Sequence, residues 1–142
     1  MHTLFLVDDN TIDHFIMMNV LKKNPIFNSI KKFDSGEGLI DHLENSKSLI
    51  EDLPDVLFLD LSMPKFDGWD VLNTLSVMYD SLAKKINVYI ISASVDKRDK
   101  IRALTYPFVR NFFSKPVTSN NFVVIAADIE SYWNNQKFQE ND

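Results

Sequence analysis

The sequence predicts an α/β fold, a doubly wound parallel sheet with helices on both faces. Five short strand-like runs, at residues 4–7, 29–33, 56–59, 88–91 and 110–113, alternate with five helical patterns. Right-handed crossovers fold such an alternation into one parallel sheet. The first, third and fourth runs are almost uniformly apolar, as expected of strands covered on both faces. Four of the runs also stop at residues with chemistry: Asp8 and Asp9, Asp60, Ser92, and close to Lys115. The carboxyl ends of parallel strands open on one crevice, so these groups are expected to share a single site.

Each element has its own signal. The first run meets Asp8 after four strongly apolar residues, too few for a signal peptide or a membrane span. Ile12, Phe15, Ile16, Asn19 and Val20 then follow the three-and-four spacing of a helix and are expected to form its buried stripe. Leu39, Ile40 and Leu43 repeat that spacing after the second strand. Residues 46–54 form the longest linker, ending at Pro54.

Beyond Asp60, Met63-Pro64 and Asp67-Gly68 are turn chemistry, proline fixing one φ and glycine permitting a positive one. Val71, Leu72, Leu75 and Met78 mark the third helix. The fourth, residues 95–104, is closed by Pro107, which cannot continue a helix. The fifth begins after Thr118 or Ser119, either a suitable N-cap, and carries Phe122, Ile125, Ala126, Ile129 and Trp133 on one side. Residues 134–142 read as a polar, frayed tail. Residues 1–142 are expected to form one domain with an ordered core over about 3–133.

Composition narrows the function. A chain of 142 residues that is 45% hydrophobic and 12% aromatic can bury a core without staples. It contains no cysteine, which excludes disulfides and thiolate metal sites and is compatible with a reducing, cytoplasmic setting. A net charge of −5 argues against direct nucleic-acid binding through phosphate contacts. His2, His14 and His42 lack metal-ligand spacing to one another.

Two readings of the acidic pair are open. Either one of Asp8 and Asp9 caps the following helix while the other is solvated, or the pair belongs to a hard-cation site of the kind that Mg²⁺ or Mn²⁺ takes. Asp60 is either a solvated strand end or a reactive carboxylate under a structured loop. Ser92 offers a small hydroxyl and Lys115 a cation on a flexible stem. Two carboxylates about 5 Å apart repel by roughly 3 kcal/mol at an effective dielectric of about 20. Asp8, Asp9 and Asp60 therefore need positive charge, and Lys115 with a divalent ion brings the formal sum to about zero. A phosphoryl group could then meet metal, ammonium and hydroxyl while a carboxylate attacks its phosphorus.

With these residues assembled, the chain resembles the receiver domains of two-component response regulators. The acidic pair, the Asp followed by Met-Pro-x-x-Asp-Gly, the small hydroxyl and the Lys-Pro occur in the family's order and spacing. The resemblance implies a flavodoxin-like sheet of order 2-1-3-4-5 and phosphorylation of Asp60. It implies Mg²⁺ (or Mn²⁺) ligation by Asp9, Asp60 and the backbone carbonyl of Ser62, with Asp8 acting mainly through water. Ser92 and Lys115 would hold phosphoryl oxygens, and Phe112 falls at the aromatic switch position that moves with Ser92. A histidine kinase or histidine phosphotransfer protein would be the donor. A separate protein target would be met by the fourth helix, fifth strand and fifth helix, and no output domain is expected.

The departures are specific. Serine stands at 92 where threonine is commoner, Phe112 lacks a tyrosine's phenol, and Thr105-Tyr106-Pro107-Phe108 replaces a frequent Gly-Ala pair. Lys97, Arg98, Lys100 and Arg102 form either a solvated helical face or a docking patch for an acidic surface. Tyr106, Phe108, Tyr132 and Trp133 are either packed or an exposed aromatic contact.

Three functions are compatible with these residues. The first is a stand-alone phosphoacceptor, not a conventional enzyme, that promotes its own phosphorylation and slow dephosphorylation. The second is an aspartate-nucleophile phosphatase or phosphotransferase, disfavoured because Ser62 stands where that class places its general acid. The third is an interaction module whose acidic pocket is idle.

Overall fold

The computed structural model describes residues 2–140, with backbone alone for 136–140. The strands are β1 (Thr3–Val7), β2 (Ser29–Phe33), β3 (Val56–Leu59), β4 (Asn87–Ser92) and β5 (Val109–Ser114). The helices are α1 (Thr11–Lys23), α2 (Gly36–Ser46), α3 (Gly68–Met78), α4 (Lys97–Ala103) and α5 (Ser119–Glu140). All strand pairs are parallel and the sheet runs β2-β1-β3-β4-β5, the flavodoxin-like order expected.

Side chains of successive strand residues point to opposite faces, so each central strand feeds two cores. Leu57 and Leu59 pack with Leu39 and Leu43 of α2 and Val71, Leu72 and Leu75 of α3. Val56 and Phe58 pack on the other face with Met17 and Leu21 of α1 and Phe122, Ile125 and Ile129 of α5. Every residue of β3 is buried, which explains why its sequence carries no polar alternation. Full burial of each such leucine or phenylalanine contributes about 1.5–3 kcal/mol.

Register brings the strand ends level. Val7 pairs with Phe33 and Leu59, Leu59 with Ile90, and Ile90 with Phe112. Asp8, Asp60, Ser92 and Lys115 consequently leave the sheet along one edge. Backbone bonds tie that edge together: Asp60 N–H donates to the Val7 carbonyl at 3.0 Å and Lys115 N–H to the Ser92 carbonyl at 2.8 Å.

The helices depart from expectation in four places. Val20 of the stripe expected on α1 is buried, but Ile12 is 69% exposed, Phe15 67% and Ile16 37%. Asn19 is exposed too, while His14, Met17 and Leu21 join Val20 against the sheet. Two apolar stripes overlap on this helix, and polar contacts at its first turn select the second. The linker at 46–54 contains a single 3₁₀ turn, Ile50–Asp52. Helix α4 is shorter than residues 95–104 because Asp96 caps it, its carboxylate accepting from the Arg98 N–H at 2.9 Å. The residues expected to fray after Trp133 continue α5 to Glu140. They contain neither glycine nor proline, and Gln136, Lys137, Gln139 and Glu140 are good helix formers. Residues 141 and 142 of that tail lie outside the described residues. Among the described residues no helix is long and apolar enough to cross a membrane.

Candidate functional site

Local backbone chemistry places the acids. Asn10 is the N-cap of α1, its side-chain oxygen accepting from the N–H groups of Ile12 at 2.9 Å and Asp13 at 3.1 Å. Neither Asp8 nor Asp9 caps the helix. Asp8 instead accepts from the Asn10 N–H at 2.9 Å and is buried, with 5% of its surface exposed. Asp9 is exposed beside it.

Asp60 leaves the fully buried β3 and is itself buried, one carboxylate oxygen accepting from the Ser62 N–H at 3.3 Å. Glycine at 68 is required for closeness rather than for an unusual dihedral, since no glycine has a positive φ. A Cβ there would lie 2.5 Å from the Asp60 carbonyl oxygen and 2.6 Å from the Leu61 Cα. The positive φ of this loop, 66°, belongs to Lys65. Asp67 and Asp70 then close a reciprocal capping box that starts α3.

Lys115 follows β5 at the same edge, and its peptide bond to Pro116 is cis. Its ammonium lies 2.6 Å from Asp8, 2.8 Å from Asp13 and 3.5 Å from Asp60. The closest contact is thus Asp8, and the second partner is a residue to which the sequence motifs assign no role. Asp13 sits one helical turn beyond Asp9, which brings its carboxylate back toward the site. That i,i+4 spacing from the acidic pair was the available signal. His14, also without a sequence-based role, is buried with its Nε2 against the Asp8 carbonyl oxygen.

Burial and the neighbouring Asp8 charge push the Asp60 carboxyl up from 3.8 to about 6, despite the opposing effects of Lys115 and the Ser62 N–H. Burial works to lower Lys115. Hydrogen bonds to Asp13 and Asp8 and the charges of Asp60 and Asp8 outweigh it, and the ammonium is held above its usual range. Both shifts report one imbalance, an excess of carboxylates over the single ammonium they surround.

Oxygens of Asp8, Asp9 and Asp60 all lie within 4.8 Å of one another, the one such group among the described residues. This all-oxygen, all-carboxylate donor set suits a hard divalent cation and not a soft one. Ser62 is exposed at the rim. Ser92 is 1% exposed at the end of β4, its hydroxyl oxygen accepting from the Ser94 N–H at 3.2 Å. Phe112 is 7% exposed, paired with Ile90 across the strands and packed in the α2–α3 core.

Elsewhere the cations of α4 are solvent-facing, Arg98 pairing with Asp96 at 2.8 Å and Arg102 lying 4.0 Å above the Trp69 ring. The aromatics in question are packed. Tyr106 donates to Asn73 at 2.6 Å, Phe108 stacks on Tyr79, Arg110 covers Tyr132, and Trp133 stacks on His2.

Comparison with known proteins agrees with this geometry. Residues 4–127 match the response regulator receiver domain family. A probable methanogenesis regulatory protein, FilR2 of Methanothrix harundinacea, is 25% identical over 92% of this chain and 82% of its own length. The bacteriophytochrome response regulator AtBRR is 30% identical, covers 90% of this chain and 91% of its own, and superposes with a TM-score of 0.72. The Mn²⁺-bound form of response regulator Rcp1 is 25% identical over 94% of both chains, with a TM-score of 0.72. A two-component response regulator from Cytophaga hutchinsonii, 24% identical, shares the fold over 91% of this chain and 96% of its own, at a TM-score of 0.79. The strand order, the acidic cluster and the family match together lead to one conclusion: this chain belongs to the receiver domains of two-component response regulators.

Proposed function

We propose that Asp60 accepts a phosphoryl group from a phosphohistidine on a histidine kinase or histidine phosphotransfer protein, in the cytoplasm, and that a changed surface then binds a separate protein target. The observation that carries this reading is a buried carboxylate at a strand end, with two further acids and an ammonium converging on it. An oxygen of Asp60 forms a bond to phosphorus as the donor's N–P bond breaks, and the imidazole leaves with that electron pair. The pocket contributes position and charge rather than a covalent step of its own.

Mg²⁺, held by Asp9, Asp60 and the Ser62 carbonyl with Asp8 acting through water, would neutralise charge on the acceptor and the incoming phosphoryl oxygens. Lys115 and Ser92 donate to those oxygens. Ser92 turns to do so, and Phe112, on the neighbouring strand two residues before Ser92's register partner and without a hydroxyl of its own, transmits the change by packing alone. The target meets α4, β5 and α5. Ser62, standing where a general acid would be needed for rapid turnover, keeps the acyl phosphate long-lived enough to signal.

Incubating the chain with a small phosphodonor and Mg²⁺ and measuring intact mass tests this. One added phosphoryl group is expected, absent in Asp60→Asn and absent with chelator. Rapid multiple turnover of a phosphomonoester would instead identify an enzyme, and no adduct with any donor or metal would identify an idle module.

A further inference from the structure

We propose that Asp13 is the counter-ion that tethers Lys115 in the unmodified protein and thereby limits how fast Asp60 is phosphorylated; this rests on the phosphoacceptor reading above. An ammonium has three protons to donate. Two of them are committed at hydrogen-bond distance, to Asp8 at 2.6 Å and Asp13 at 2.8 Å, whereas Asp60 stands off at 3.5 Å. One proton is left for a phosphoryl oxygen, and to bring a second Lys115 has to give up a carboxylate.

Asp13 is the one it leaves. The Asp13 side chain is 33% exposed against 7% for Asp8, so water can take over its hydrogen bonds after release, while an abandoned Asp8 would be left buried and charged. Asp8, Asp13, Asp60 and Lys115 border a cavity of about 30 Å³ whose other walls are apolar, Phe58 and Ile91 among them, so the freed ammonium turns toward Asp60 and not into that space. Asp13 is also held in place: the Asn10 cap bonds its own N–H, and the next residue, His14, is bonded to the Asp8 carbonyl. These two contacts set the rotation of α1 that turns Ile12 and Phe15 to solvent and Asp13 to Lys115.

The tether changes the charge that a donor meets. Asp8, Asp9, Asp13 and Asp60 against one ammonium and one divalent cation leave a formal charge of about −1, where the three acids without Asp13 sum to about zero. An anionic donor is repelled by the difference. Asp13 is thus a positioning residue, acting through Lys115 and through its charge without touching the reacting atoms.

The test uses the full chain, Asp13→Asn and Asp13→Glu, with saturating Mg²⁺ and two donors, acetyl phosphate (a dianion) and phosphoramidate (a monoanion), near pH 7.5. In each transfer Asp60 oxygen bonds to phosphorus while phosphorus parts from acetate or ammonia, which keeps the electron pair. Asp13→Asn is expected to accelerate transfer from acetyl phosphate about 3–10-fold and from phosphoramidate by less, with the gain shrinking as salt is raised. Asp13→Glu, which restores the charge, stays within about twofold of the parent.

Unchanged or slower transfer in Asp13→Asn, or Asp13→Glu behaving like Asp13→Asn, overturns the proposal. A second readout needs neither metal nor donor. Urea unfolding with chelator of Asp13→Asn, Lys115→Met and the double variant should give a coupling of about fivefold or more in the unfolding constant, and a coupling under about twofold rejects the tether. A parent protein that takes no phosphoryl group from either donor sinks the phosphoacceptor reading and the rate claim together. The metal-free coupling is then still read on its own.

Discussion

Replacing Asp60 by asparagine should stabilise the metal-free protein. The Asp60 side chain is 6% exposed and its carboxyl is pushed from 3.8 to about 6, chiefly by burial and then by Asp8. The folded state therefore holds this proton more tightly than the unfolded chain does. Its stabilising effect is complete below about pH 4 and is lost as pH rises through about 6. At about 1.4 kcal/mol per pKa unit, the ionised carboxylate costs the fold about 3 kcal/mol above pH 7. Asparagine has nearly the same shape and no charge to bury. Its advantage over the parent should grow with pH, from about 2 kcal/mol at pH 5 to about 3 kcal/mol at pH 8. Urea unfolding with chelator, followed by circular dichroism at several pH values, measures the gap. Equal stabilities at pH 8, or a gap that narrows from pH 5 to pH 8, would refute the assigned electrostatics. Adding Mg²⁺ should close part of the gap by stabilising the parent more than the variant.

Other substitutions probe separate links. Lys115→Met strips three carboxylates of a cation whose side chain is 14% exposed, and should cost about 3–5 kcal/mol without metal, with a larger recovery on adding Mg²⁺ than the parent shows. An unaltered melting temperature with chelator would contradict that pairing. Gly68→Ala forces a methyl to 2.5 Å from the Asp60 carbonyl oxygen and should lose about 2 kcal/mol or more along with phosphoryl acceptance, read by unfolding and intact mass. Phe15→Ser should change stability by less than about 1 kcal/mol because that ring is 67% exposed, whereas Leu21→Ala on the same helix should cost about 2–5 kcal/mol; the reverse ranking in urea would place the wrong face of α1 against the sheet.

The central strands were legible because burial on both faces leaves an unbroken apolar run, as in Val56-Leu-Phe-Leu59, and forces the next residue, Asp60, to the sheet edge, whereas β2 and β5 at the flanks carry no such run. The stripes of α2 and α3 were legible because one apolar face dominates each, and that of α5 because Phe122, Ile125 and Ile129 recur at helical spacing although Val123 and Val124 face solvent. On α1 the pattern is degenerate: Ile12, Phe15 and Ile16 compete with Met17, Val20 and Leu21, and spacing alone does not choose between them. The choice is made by Asn10 and His14, through bonds to backbone groups that no periodicity records. Asp13 was missed although its spacing from the acidic pair was visible, since an acid in a first helical turn ordinarily serves the helix dipole. Gly68 was noticed for its conformational freedom, but the requirement is steric and emerges only when α3 is placed against the Asp60 backbone.

The level register of the parallel strands also divides labour between the two rims of the sheet. At the far rim, Asp55 accepts from the Thr3 N–H at 2.8 Å and from Lys84 at 3.1 Å, interactions that join strand beginnings and touch none of the acceptor's neighbours. Evolution and engineering can thus alter durability at one end of the molecule without retuning its chemistry at the other. A fluorophore or short peptide grafted at Ala83, exposed at that rim, would label the molecule a full strand length from the acceptor and leave its chemistry untouched.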